Sequence, residues 1–185
     1  MTNQRLLAVL AAGAVATSIA SSSGPAMGAG SGSSPLVGNW HRTNSCAALV
    51  RAMRSAHLTE RVQRDTLVGA GYFQSASEID PAAPCKRAHN LKHSHFFTPA
   101  GGFGSHDEKG NQVDDGDYKI TAPHTLAFPS HARDFGYRVK VRYRIKAGKL
   151  RFHVVVPRPC TGKCQGATAW ALSAFYSGPA FRRGH

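Results

Sequence analysis

The chain has 185 residues, 42% of them hydrophobic, and 23 Lys and Arg against 10 Asp and Glu, a formal net charge of +13 with histidine neutral. That length suits one domain of roughly 150 residues with a sizeable core, rather than several. The charge speaks for solubility and anionic partners and says nothing about fold.

At the N-terminus a single cation, Arg5, precedes an apolar run from Leu6 to Ala20, followed by a Ser/Gly/Ala-rich tract to Ser34. Small residues at Ser18/Ala20 or Ala26/Gly28 suit a signal peptidase. Residues 1–28 are therefore predicted to be a signal peptide, 29–36 a flexible lead-in, and 37–183 a single barrel-like domain. A membrane anchor is the competing reading, but the apolar core is shorter than the ~20 residues a span needs, and Thr17 and Ser18 interrupt it. No later run is apolar for long enough to span. The expectation is a secreted protein, and losing Arg5 takes one from +13 to leave a mature charge of about +12.

Four cysteines in an exported chain imply two disulfides, with three connectivities open. Cys46–Cys85 with Cys160–Cys164 is favoured, the second pair enclosing only Thr161-Gly162-Lys163. Zinc is the competing use of these cysteines. Oxidising export and the lack of a second paired-Cys element argue against it.

Gly38-Asn39-Trp40 opens a short strand through about Thr43. Asn44 or Ser45 can cap a helix in which Cys46, Leu49, Val50, Met53 and His57 recur at helical spacing. Thr59-Glu60 can cap a second helix with Val62 and Leu67, ended by Gly69-Ala70-Gly71. From about His93 onward the pattern is strand and turn. A hairpin turns at Pro99-Ala100-Gly101, and a strand from Gly116 to Thr121 carries Tyr118 and Ile120. Tyr137, Val139, Val141, Tyr143 and Ile145 then alternate with Arg138, Lys140, Arg142, Arg144 and Lys146. Past Ala147-Gly148 the alternation resumes, with Leu150, Phe152, Val154 and Val156 against Lys149, Arg151 and His153. Period two over this length predicts a hairpin with one apolar and one cationic face, its register held by burial of the apolar side. Ala169 to Tyr176 is alanine-rich and open to a helix, but reads as a closing strand with Trp170, Leu172, Ala174 and Tyr176 on one face. The fold class expected is mainly β, an antiparallel meander or barrel with two helices after the first strand.

Gly38-x-Trp40, a helix–turn–helix, an antiparallel meander and a final strand ending in Arg182-Arg183 follow in an order that resembles the calycin superfamily. The likeness is greatest to the small fatty-acid-binding barrels, which place two helices between their first two strands. It implies that Trp40 packs under Arg182 or Arg183 to close the base of the barrel. Gly38-Asn39-Trp40, the run from His93 to Phe97, Gln112 to Gly116, Arg142 to Ile145 and Ala169 to Tyr176 together also resemble a set of secreted bacterial proteins of unknown function. That second likeness implies no activity.

Several clusters invite chemistry. Arg138, Lys140, Arg142, Arg144, Lys146, Lys149 and Arg151 form a stripe that is either a solvated wall or a docking face for an acidic polymer or anionic surface. With Tyr137 and Tyr143 on the other side, base stacking and specific nucleic-acid readout are not expected. Turned inward, seven cations would carry a desolvation cost that no apolar tail offsets. His93 and His95 share a strand face and, with His106 or Asp107, have ligand types that suit zinc or copper, although surface or capping histidines are the simpler reading. Asp107, Glu108, Asp114, Asp115 and Asp117 depart from calcium-loop spacing and read as turn chemistry. No cofactor, no metal site and no catalytic residue is assigned. The leading expectation is a monomeric, non-catalytic carrier of a small apolar ligand, in a barrel lined by Tyr118, Val139, Val141, Tyr143, Phe152 and Trp170 beside Trp40, Ile120 and Val154. The alternatives are a polyanion- or surface-binding module using the basic hairpin and, behind it, a secreted hydrolase.

Overall fold

A computed structural model describes residues 34–184; the predicted signal peptide and most of the lead-in lie outside them. Nine strands run β1 (Gly38–Asn44), β2 (Leu91–Phe97), β3 (Gly102–His106), β4 (Gln112–Asp117), β5 (Lys119–Ala122), β6 (Thr125–Ala127), β7 (Lys140–Lys146), β8 (Lys149–Val155) and β9 (Phe181–Arg183). They pair antiparallel in the order β4-β3-β2-β1-β9-β8-β7-β6-β5. The two edge strands are separated in sequence by Tyr118 alone, so the sheet curls into a nearly closed barrel. Helices α1 (Cys46–Ser55) and α2 (Glu60–Gly69) lie between β1 and β2. The mainly-β expectation holds, and the architecture is compatible with a calycin-like barrel.

The hairpin behaves as its period dictates. Val141, Tyr143, Leu150, Phe152 and Val154 are buried, while Lys140, Arg142, Arg144, Lys146, Lys149 and Arg151 are exposed. Ala147 (φ 50°) and Gly148 (φ 68°) make the two-residue turn, both in the left-handed region that a tight hairpin of right-twisted strands requires. The strand begins at Lys140, not Tyr137, because a helix precedes it.

That helix, α3 (Pro129–Phe135), was not expected from the sequence. Pro129 sits at its first position, where a missing N–H costs nothing, and Gly136 ends it with φ 60°. A larger correction concerns Ala169–Tyr176, which belongs not to a strand but to a 13-residue helix, α4 (Lys163–Phe175). Its alternating large residues mimic period two, but Ala167, Ala169, Ala171 and Ala174 favour helix. Being buried on nearly every side, α4 has no polar stripe to reveal a 3.6-residue period. The expected strand over Gly116–Thr121 is also broken, at Tyr118, with one half pairing to β3 and the other to β6. Ile120 faces out, 46% exposed, and does not line the interior. Leu36, placed in the flexible lead-in, is fully buried, and its carbonyl accepts a hydrogen bond from the Trp40 indole at 2.7 Å.

The two disulfides are Cys46–Cys85, tying the start of α1 to the segment before β2, and Cys160–Cys164, stapling the first turn of α4. Phe175 of α4 meets Phe103, Phe128 and Phe152 at ring separations of 5.5, 5.0 and 4.8 Å. The concave side of the sheet is thus packed against a helix through an aromatic layer.

Candidate functional site

Strand pairing extends the cationic stripe well beyond its hairpin. On the outer face Arg144 stands opposite Arg151, and Lys146 opposite Lys149. Lys149 in turn faces Arg182 of β9, Arg182 faces His41 of β1, and His41 faces Ser94 of β2. One transverse row therefore reads Lys146, Lys149, Arg182, His41, with neighbours about 4.8 Å apart in strand spacing. Like charges set directly opposite each other destabilise a sheet, so nothing in folding asks for this arrangement. No acid of the described residues forms an ion pair with it. Among the described residues the ion pairs are Arg61–Asp65, His89–Glu108 and His131–Asp114, and none involves a cation of the wall. A groove of about 1020 Å³ runs beside this face, with His41, Lys149, Arg151 and Arg182 on one side and Asp107 and Glu108 among its lining on the other. Arg151 is steadied there by donating to the Gly178 carbonyl at 3.1 Å. Arg138 is exposed just ahead of β7.

Inside the barrel a different arginine is held without any acid. Trp40, Arg42 and Asn44 alternate inward along β1, and Arg42 is 6% exposed. Its Nε donates to Asn44 Oδ1 at 2.6 Å, Nη1 to the Tyr176 carbonyl at 3.0 Å, and Nη2 to the Ala174 carbonyl at 3.4 Å. The guanidinium lies between the Tyr176 and Phe181 rings, 4.1 and 4.2 Å from their centroids. Arg42 therefore caps the C-terminus of α4, where unpaired carbonyls and the negative end of the helix dipole favour a cation. Burial still pulls its pKa down to about 10. The Ala174 carbonyl also accepts from His95 Nε2 at 3.0 Å.

The remaining predicted residues are placed as follows. Arg183 lies over Trp40 with 5.4 Å from guanidinium carbon to ring centroid, and donates to the Val37 carbonyl at 2.6 Å; Arg182 points to the outer wall instead. Tyr118 packs on Phe97 and bonds the Thr98 carbonyl, Phe152 meets Phe97, Phe175 and Phe181, and Val139, Val141 and Tyr143 are buried. Trp170 is on α4, stacked on His131 at 3.9 Å. The six cavity candidates are therefore distributed through packed layers rather than around one shared space.

His93 and His95 touch edge-on at 4.6 Å, but His106 pairs with Ser94 and so lies on the opposite face. Burial first, then the Arg42 charge, push the His93 imidazole down to about 4, and burial pushes His95 well below its ordinary value. Among the described residues no group of three or more ligand-type side chains is placed to hold a metal. The acidic run is used locally. Asp107 accepts from the Lys109 and Asn111 backbone, Asp117 from Ser130, and Asp114 from His131 and from the Trp170 indole at 2.8 and 3.0 Å. These last contacts pin α3 and α4 to β4 across the barrel's open seam.

Sequence reasoning missed Arg42 and His131, read Asp114 as turn chemistry, and did not place Arg182 on the wall. For Arg42 a signal existed, since it shares strand parity with Trp40. For the other three the partners come from distant strands and helices. Comparison with protein-family models, curated proteins and solved structures finds no match to this chain.

Proposed function

We propose that this is an exported polyanion-binding protein that lays its cationic outer wall, β7–β8–β9–β1, against an acidic polymer or an anionic surface. The observation that carries the reading is the unneutralised row from Lys146 through Lys149 and Arg182 to His41, continued along the hairpin by Arg144, Arg142 and Lys140. A two-dimensional array of exposed cations, mildly repulsive within the sheet and without an ion-pair partner, focuses potential on anionic partners and releases counterions on binding. Export is supported by the two disulfides, which persist in oxidising compartments. A carrier of an apolar ligand is disfavoured by the aromatic layer between α4 and the sheet, which occupies the space such a ligand needs.

The test is neutralisation of Arg138, Lys140, Arg142 and Arg144 to Gln, with a second variant carrying Lys149→Gln, Arg151→Gln and Arg182→Gln. Both are expected to keep the native circular dichroism spectrum and to elute earlier from heparin. On duplex DNA the slope of log affinity against log salt should flatten by up to about 0.9 per lost phosphate contact. Unchanged elution and slope in both variants would refute the assignment.

A further inference from the structure

A second groove, of about 480 Å³, opens at the end of the barrel where α2 finishes beside β2, β3 and β4, and its size falls within the range of small-molecule sites. It borders the groove of the basic wall, sharing Lys92, His93, Asp107 and Glu108, but contains none of the hairpin cations and does not depend on the reading above. Two side chains on its lining carry buried polar atoms with no partner, the Tyr72 hydroxyl and His93 Nε2. Tyr72 is 5% exposed. A buried polar atom left unpaired costs about 1–3 kcal/mol, and native structures hold few of them. Two at one groove point to a guest. Exposed Gln74 and Lys92, on the same rim, are long enough to swing aside and admit one.

The lining also indicates the guest's chemistry. An anion would meet Asp114 within and Asp107 and Glu108 at the rim, while a cation would meet Lys92 and Lys109. Burial keeps Tyr72 protonated and His93 neutral, so the Tyr72 hydroxyl both donates and accepts, while His93 Nε2 donates or accepts according to tautomer. Ser173 spends its proton on the Trp170 carbonyl at 2.7 Å, which leaves its oxygen to accept. An uncharged set of one donor–acceptor hydroxyl, one imidazole nitrogen and one accepting oxygen matches hydroxyls, which take either role. Apolar surface lies beside them in Leu91, Trp170 and Val113, and Val113 is, among the described residues, one of two large hydrophobic residues conspicuously exposed, at 55%. We propose that this groove binds an uncharged polyhydroxylated ligand, a sugar unit, whose hydroxyls pair with Tyr72, His93 and Ser173 and whose C–H face rests on Val113 and Trp170.

The chain's two tryptophans make the test direct. Trp170 lines the groove, whereas Trp40 is buried at the far base contact with Arg183 and serves as an internal control. Glucose, mannose, galactose, N-acetylglucosamine and cellobiose are titrated into the ¹⁵N-labelled protein while both indole N–H signals are followed. At least one sugar should move the Trp170 signal saturably and leave Trp40 in place. Tyr72→Phe should weaken that sugar about tenfold, the loss of one hydrogen bond of roughly 1.4 kcal/mol. The unliganded Tm of Tyr72→Phe should stay level or rise, because the substitution removes an unpartnered hydroxyl. No movement of Trp170 with any of the five sugars overturns the proposal. So does unchanged affinity in Tyr72→Phe, or a Tm drop of several degrees, which would mean the hydroxyl already has a structural partner.

Discussion

Arg144 and Arg42 are both strand arginines of one sheet, and neither has a carboxylate partner. Arg144 stands in water opposite another arginine, with its donors left to solvent. Arg42 is enclosed, with Asn44, two α4-terminal carbonyls and two aromatic faces around it. Water screens the first charge, so that the repulsion among the seven on the hairpin costs only a fraction of a kcal/mol per facing pair. The second can exist only because protein groups replace the whole hydration shell. The outer face is therefore free to serve a partner, and the inner arginine is committed to holding α4 in the barrel.

The strongest way to break this contrast is Arg42→Met. It removes the cap and strands the Tyr176 carbonyl and Asn44 Oδ1, for an expected loss of about 4 kcal/mol in urea unfolding. Arg42→Lys should rescue little, since one ammonium cannot span the same acceptors. A loss below about 1 kcal/mol would mean that α4 is held by apolar packing alone.

Acid tests the interior next. His93 titrates near 4 in the folded chain and near 6.5 when unfolded, and His95 is lowered in the same direction. Well above pH 6.5 both states are neutral and stability is full. As pH falls from 6.5 towards 4 the unfolded state binds protons that the folded state refuses, so stability declines, by up to about 3 kcal/mol from His93. His93→Gln should flatten that part of the curve, as read by Tm against pH. An equally steep curve in the variant would place the loss elsewhere.

Arg183→Gln probes the boundary between the two regimes. It removes a cation from the Trp40 face and one bond to the Val37 carbonyl, and should cost about 1 kcal/mol with a shift in Trp40 fluorescence. The smallest effect belongs to the wall itself. Arg144→Gln or Lys149→Gln should alter stability by no more than about 0.5 kcal/mol, with a slight gain at low salt as repulsion is relieved. A large loss from either would show that these cations have structural partners after all.

How legible each region was in the sequence follows from the range of the forces involved. Period two along β7 and β8 is local, and only one register buries Val141, Tyr143, Phe152 and Val154, so the hairpin and its two faces could be read directly. The helix after Thr59, whose hydroxyl accepts from the Val62 amide at 3.4 Å, was legible for the same reason. Cysteine number and spacing likewise pointed to the two disulfides found. By its own chain, then, the sequence determined a mainly-β fold, two helices after the first strand, and a one-sided cationic hairpin. Tertiary structure alone decided what those parts meet. The helical state of Trp170 and its neighbours came from burial on all sides, which erases amphipathic periodicity. The extension of the wall through Arg182 to His41 came from β9 inserting between β8 and β1, more than a hundred residues from β1 in the chain. The confinement of Arg42 needed carbonyls at Ala174 and Tyr176 to arrive from the other end of the molecule. Contacts of that range leave no local pattern, because each residue satisfies its own neighbours equally well without them.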